Sequence, residues 1–241
     1  MPVERKMFAQ LYRTLPDFIC PQCQRGRLSR MKGSFKECRP EHLNDYEAQR
    51  AGVTYSRYAA IAICSDRKCG EVVIESGSFV DIGDFDEDGR FVEFAPNSFF
   101  PAPHMFQIPA KVPDKVRGPL SSAFELYWID VDAAASKVRT SAEYLLDVLK
   151  VARKRKKKSG NGKVFISFAD RIKLLKHPNA REDWLDALRL VGNMGTHREI
   201  KQEQFFDMLD IYEALLRELY DNSADNASKL SATIKRKHGR R

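Results

Sequence analysis

No run of about 18 uncharged apolar residues occurs anywhere in these 241 residues, so the sequence offers no membrane-spanning helix. An apolar leader is missing too. Residues 1–20 carry Glu4, Arg5, Lys6, Arg13 and Asp17 where a signal peptide needs an apolar stretch, which predicts a cytoplasmic protein. Cysteine is scarce and odd in number: of the five, two pairs stand at short spacing, which suits metal ligation better than the disulfide framework of a secreted domain. Most of the chain also lacks the excess of basic charge that its net +8 suggests. Six consecutive cations, Arg153, Lys154, Arg155, Lys156, Lys157 and Lys158, and five near the end, Lys235, Arg236, Lys237, Arg240 and Arg241, account for it; taking these eleven from +8 leaves −3. Basic character therefore lives in one loop and one tail. Two readings are open for both runs: contacts along a phosphate backbone, or solvated chain whose like charges repel one another.

Hydrophobic residues make up 43% of the chain, enough to core one large domain or two small ones. Residues 1–108 read as β-rich. The segments 58–64, 71–80 and 90–94 are short, β-branched or aromatic, and separated by Gly, Asp and Ser, which suits hairpin strands. Residues 38–57 read as an excursion with a short helix. Segment 84–89, Asp-Phe-Asp-Glu-Asp-Gly, copies the first half of a calcium loop, but Ala95 stands at the twelfth position where a bidentate Glu belongs. It is read as an acidic hairpin turn. Pro96, Pro101, Pro103, Pro109, Pro113 and Pro119 then punctuate a stretch expected to form neither a long helix nor a central strand, and so to connect two domains.

From Leu120 the period becomes helical. Val138, Ala142, Leu145, Leu146 and Leu149 predict one long helix over about 132–152, followed by the cations and a flexible loop, Ser159-Gly160-Asn161-Gly162. Phe168, Ile172 and Leu175 mark a short helix stopped by Pro178; Trp184, Leu185, Leu188 and Val191 mark another; Phe205 through Leu219 mark a long closing helix. The expected fold class is α+β: a small β-rich zinc ribbon over 1–108, an all-α helical bundle over 109–222 and a basic tail over 223–241.

Cys20-Pro21-Gln22-Cys23 and, about forty residues on, Cys64-Ser65-Asp66-Arg67-Lys68-Cys69 form two close pairs. Two such turns can present four thiolates tetrahedrally to zinc and close a domain too small to stabilise itself by burial. With all four positions filled by protein the metal would be structural, since no position remains for a reactive water. Reduced structural cysteines are the competing reading, and Cys38 or His42 can substitute for one ligand.

The most unusual local chemistry is Arg189-Leu190-Val191-Gly192-Asn193-Met194-Gly195-Thr196-His197. Arg189, Asn193 and His197 fall at i, i+4 and i+8, so a continuous helix would place them on one face. Each of the two glycines costs about 1 kcal/mol against alanine in a helix, which implies a bend or a close approach by something else. A cation, an amide and an imidazole together can hold a phosphate, and the imidazole can exchange a proton with a ribose 2′-hydroxyl near neutral pH. The plainer reading is structural: Arg189 paired with Asp186 or Glu199, Asn193 as a cap, and His197 bonded inside the bundle. Arg139 and Glu143, at i and i+4 on the long helix, either line the same site or form an ordinary ion pair.

Residues 108–222 resemble a bacterial domain-of-unknown-function family within the HEPN (higher eukaryotes and prokaryotes nucleotide-binding) superfamily. The resemblance is carried by Ile108-Pro109 with Val112-Pro113, by 133–139 continuing to Glu143-Tyr144-Leu145-Leu146, by Arg171-Ile172, by Arg189-x-x-Gly192-Asn193-x-x-x-His197, and by the closing helix through Leu219-Tyr220. Family members frequently carry a cysteine-paired ribbon upstream. The resemblance implies a helical bundle, often a homodimer, with the Arg/His element near the dimer interface, and a place in prokaryotic defence or stress response. Nuclease members of the superfamily cleave RNA without metal, using an Arg and a His with four to six residues between them. Here Arg189 and His197 have seven between them, which weighs against cleavage and leaves binding; Arg198 is a possible substitute. The sequence thus predicts a protein associated with nucleic acid, RNA ahead of DNA. The alternatives are a metal-independent endoribonuclease using His197 and Arg189, and an adaptor that docks on a partner defence protein.

Overall fold

Strand β3 (Val53–Cys64) alternates side chains strictly, so that Ser56, Tyr58, Ala60, Ala62 and Cys64 are buried along one face. Strand β4 (Val72–Ile82) answers it with Val73, Glu75, Phe79 and Asp81. A computed structural model describes residues 5–8, 11–14, 16–44, 46–82, 91–157, 161–176, 181–194 and 199–221. They form an N-terminal sheet and C-terminal helices. Two compact units are present, Met1–Gln107 with Leu120–Ala134, and Ile108–Pro119 with Ala135–Arg241. Among the described residues no helix is long and apolar enough to cross a membrane.

In the first unit β3 pairs antiparallel with β4, and β4 with β5 (Phe91–Phe100). On the far side of β3, β1 (Leu28–Arg30) pairs with its last residues, placing Leu28 opposite Cys64, and β2 (Lys36–Cys38) pairs with its middle. The short helix expected between the cysteine pairs is α1 (Tyr46–Arg50). Residues 84–89 lie outside the described residues, while the strands flanking them pair with Ile82 opposite Phe91. The core is aromatic: Phe18 packs on Phe8, Phe99 and Trp128 with ring centroids 5.2, 5.4 and 5.9 Å apart, and the buried Tyr127 hydroxyl donates to the Phe8 carbonyl.

A charged network is buried in the same sheet. The Glu75 carboxylate has no exposure; it accepts from Tyr12 (2.8 Å), from Tyr58 (2.6 Å) and twice from Arg30 (2.7 and 3.1 Å). Arg30 lies against the Phe94, Tyr58 and Phe35 rings. Burial and the neighbouring carboxylate push the Tyr12 and Tyr58 hydroxyls far above the ordinary tyrosine range, so both remain donors to Glu75.

The proline-rich stretch forms no central strand, as expected, but it is more than a connection. Strand β5 runs on through Pro96, because it is the last strand in the path β1-β3-β4-β5 and the register shifts between Ser76 and Gly77, opposite that proline. Edge strands and bulges are where a missing N–H is tolerated. Helix α2 (Asp114–Leu126) likewise continues through Pro119.

In the second unit α3 (Val131–Val148) buries Ala135, Val138, Ala142, Leu145 and Leu146, and α6 (Gln202–Tyr220) buries Phe205, Met208, Leu209, Tyr212, Leu215 and Leu216. Ser141 donates to the Val116 carbonyl, and the Tyr212 hydroxyl in turn donates to Ser141 at 2.7 Å, so two buried hydroxyls satisfy each other. Between these helices lie α4 (Phe168–Ile172), capped by the Ser167 hydroxyl, and α5 (Glu182–Met194). The unit is not purely helical. Part of the cationic run, expected in a flexible loop, is strand β6 (Lys154–Lys156), paired with β7 (Lys163–Phe165).

Candidate functional site

The four paired cysteines converge. Strand β3 delivers Cys64 at its end, β1 holds the preceding turn beside it, and all four Sγ atoms of Cys20, Cys23, Cys64 and Cys69 lie within 4.8 Å of one another. Cys20 and Cys69 sulfurs are 3.8 Å apart, Cys23 and Cys64 sulfurs 3.7 Å. A tetrahedron of thiolates with metal–sulfur bonds of about 2.3 Å has edges of about 3.8 Å, so the group fits a single ion. All five cysteines are free thiols, and among the described residues neither the exposed Cys38 nor His42 joins the cluster.

The backbone prepares these sulfurs for negative charge. Gly26 N–H points at Cys23 Sγ (3.3 Å) and Asp66 N–H at Cys64 Sγ (3.4 Å). Hydrogen bonds from the Gly26 and Arg25 amides lower the Cys23 thiol to about 6, whereas burial pushes Cys20 up to about 12. Gly26 is needed for its size: a Cβ there would land on Cys64 Sγ.

In the second unit α5 continues without a break through Gly192 to Met194, so Arg189 and Asn193 share a face. His197 lies outside the described residues. Arg189 binds Asp186 at 2.7 Å, the ordinary helix pair. What comes close to Gly192 is the stem of Arg139, on α3: a Cβ on Gly192 would sit 2.6 Å from Arg139 Cβ and 3.0 Å from its Cδ. Arg139 binds Glu143 at 3.0 Å and stands over the Phe168 ring. Its Nε is buried with no hydrogen-bond partner among the described residues. The glycine therefore lets the Arg139 stem of α3 pack directly on α5, next to Asn193 in the sequence. Gly192→Ala is expected to lower stability by about 1–2 kcal/mol, since an overpacking cost of about 1–3 kcal/mol outweighs the helix propensity gained. The urea midpoint followed through Trp184, on the same helix, checks it.

The basic run divides by role. Arg153 is held by Asp147 through two hydrogen bonds of 2.5 Å, and Lys115 and Arg171 bind the same carboxylate at 2.8 Å. Arg171 is buried and also donates to the Glu143 and Val151 carbonyls. Lys154, Arg155, Lys156 and Lys157 are exposed; Lys158 and the terminal cations lie outside the described residues. Asp147 thus ties the foot of the β6–β7 hairpin to α2, α3 and α4, a role nothing in its local sequence signals. Burial would raise its carboxyl, but Arg153, Lys115 and Arg171 outweigh that and hold it below the usual carboxylate range. A lowered pKa adds stability above the unfolded value of about 3.9, and that stability is lost as pH falls through the folded value. Asp147→Asn is expected to cost about 3 kcal/mol at pH 7, mainly from stranding Arg171, with the difference from wild type beginning to shrink as pH falls below about 4 and disappearing only once pH has passed below the lowered folded value. Denaturant titrations across pH measure both.

The arrangement defines an α+β protein with a four-thiol centre able to hold a metal ion. Residues 121–237 match the family model described as Domain of unknown function (DUF4145), and residues 9–103 match Domain of unknown function (DUF8608). No curated protein and no solved structure matches the chain.

Proposed function

We propose that this is a cytoplasmic nucleic-acid-associated protein of the HEPN-like kind, RNA-directed and acting in prokaryotic defence or stress response, whose four-cysteine centre holds a structural zinc. The single observation that carries the reading is the exposed cationic hairpin: a chain that is −3 outside its two basic runs concentrates Lys154, Arg155, Lys156 and Lys157 on a short ribbon whose foot is anchored by Asp147. Positive charge held in place is what phosphate contact requires. The thiolate set and sulfur spacing support zinc, a soft tetrahedral ion, and leave no open coordination position for chemistry.

The deciding experiment titrates labelled RNA and DNA with wild type and with a variant carrying Lys154, Arg155, Lys156 and Lys157 as serine. Wild-type affinity is expected to fall steeply with salt, with slope near −0.7 per phosphate contact on single strands, and the variant to lose most of the binding. Equal affinity of the two proteins, or no binding, overturns the reading. Elemental analysis is expected to find one zinc per chain. The second reading, metal-independent RNA cleavage, draws on the Arg139 stem packed against Gly192, which precedes Asn193 on α5; incubation in EDTA with and without His197→Ala decides it.

A further inference from the structure

The β6–β7 hairpin has two unlike faces. Its register sets Lys154 opposite Phe165, Arg155 opposite Val164 and Lys156 opposite Lys163. Residues directly opposite in an antiparallel pair project to the same side, and alternate residues share it. One face therefore carries Lys154, Lys156, Lys163 and Phe165, while Arg155 and Val164 occupy the other. All six side chains are exposed, and Phe165, at 71% exposure, is an aromatic ring open to water.

The flanking hydrogen bonds, Ile166 N–H to the Arg153 carbonyl and Lys157 N–H to the Gly162 carbonyl, put Lys156 and Lys163 at a non-hydrogen-bonded position, where facing side chains come closest. Two ammonium groups directly opposite repel each other. Burial offers no compensation here, and an anion between the two groups would relieve the repulsion. Lys154 Nζ stands 4.4 Å from the Phe165 ring centroid, placing a cation against the ring and leaving the rest of it uncovered.

We infer that this face binds single-stranded nucleic acid, with an unpaired base stacked on Phe165 and the adjoining phosphates held by Lys154, Lys156 and Lys163. The inference rests on the nucleic-acid reading above and adds the strandedness, Lys163 and Phe165 to it. Stacking on an aromatic ring needs a free base face, which a duplex does not offer at its surface. A membrane surface fits less well, because the two apolar residues of the ribbon, Val164 and Phe165, point to opposite sides and make no one-sided wedge.

The test measures fluorescence anisotropy of a labelled twelve-nucleotide uridine oligomer, its deoxythymidine counterpart and a twelve-base-pair duplex, and cosedimentation with phosphatidylserine vesicles. Phe165→Ala is expected to weaken binding of the single strands about tenfold at unchanged salt slope, with Phe165→Trp restoring it and the duplex affected little. Converting Lys154, Lys156 and Lys163 together to glutamine is expected to reduce the salt slope by about 2. Relative affinity for the two oligomers separates RNA from DNA. Circular dichroism and the urea midpoint check that each variant folds, which the exposure of all four side chains favours. Single-strand binding indifferent to Phe165→Ala, or binding confined to duplex, overturns this inference and leaves the nucleic-acid reading standing. Absence of binding to all three nucleic acids, or hairpin-dependent binding to vesicles alone, overturns both.

Discussion

Cys64→Ser is expected to empty the metal centre and unfold the sheet unit. Cys64 is the buried member of the four-thiol cluster at the end of β3, and its sulfur receives the Asp66 amide and is packed against Gly26. A serine hydroxyl remains protonated where the thiolate ionises, so three ligands are left to hold the ion. Structural zinc sites contribute about 10–16 kcal/mol of apparent binding energy at neutral pH, as large as the whole stability of a typical domain. Elemental analysis should therefore fall from one zinc to a small fraction of that. The chain contains two tryptophans, Trp128 and Trp184. In a Trp184→Phe background Trp128, packed 4.6 Å from the Phe99 ring, reports the sheet unit by itself, and its emission should move to that of exposed indole. Gly26→Ala should act in the same direction, by displacing the Cys64 sulfur. Cys38→Ser, exposed on β2, should change neither metal content nor emission. Full metal content in Cys64→Ser would contradict the assignment of that residue as a ligand.

The second large effect is expected at Glu75. Glu75→Gln keeps the shape but removes the charge that balances Arg30, and leaves one amide oxygen where a carboxylate accepted from Tyr12, Tyr58 and the donor-only Arg30 guanidinium. Breaking a buried ion pair from one side costs about 3–5 kcal/mol, because the partner's charge is left without compensation. For a unit of this size that is a drop of roughly 12–20 °C in melting temperature, again read from Trp128. Arg30→Met alone should be damaging, and combining it with Glu75→Gln should cost less than the sum of the two. Strict additivity of the two changes would show that the Arg30 and Glu75 contacts contribute nothing to stability.

The four-cysteine cluster was legible because its signal is local: two short cysteine spacings suffice, whatever fold surrounds them. The helices around Val138, Trp184 and Phe205 were legible for the same reason, since a 3.6-residue period is written within one segment. The hairpin at 154–165 was not. Lys-Arg-Lys has no apolar alternation, and its strand character comes from pairing with residues beyond the turn and from the Asp147 anchor at its foot. Strand β5 was read as far as Phe94, and its continuation through Pro96 was missed because a proline is excluded from a strand only where its N–H is needed, which depends on which strands lie alongside. Glu75 did leave a trace. It shares the inward parity of Val73 and Phe79, the place where a carboxylate needs a partner, though the partner, Arg30, is 45 residues away.

By itself the sequence determined the four converging thiols, the change from strand to helix periodicity, and the confinement of basic charge to two short runs. These depend on spacing and composition along a few residues. Only the tertiary structure decided that Phe124, Tyr127 and Trp128, on helical sequence, belong to the compact unit of the sheet, that Arg139 lies against Gly192, and that one carboxylate, Asp147, serves three cations. The physical reason is that a period or a ligand spacing is a property of one segment, whereas the pairing of a charge or the filling of a gap is a property of two segments that the chain must first bring together.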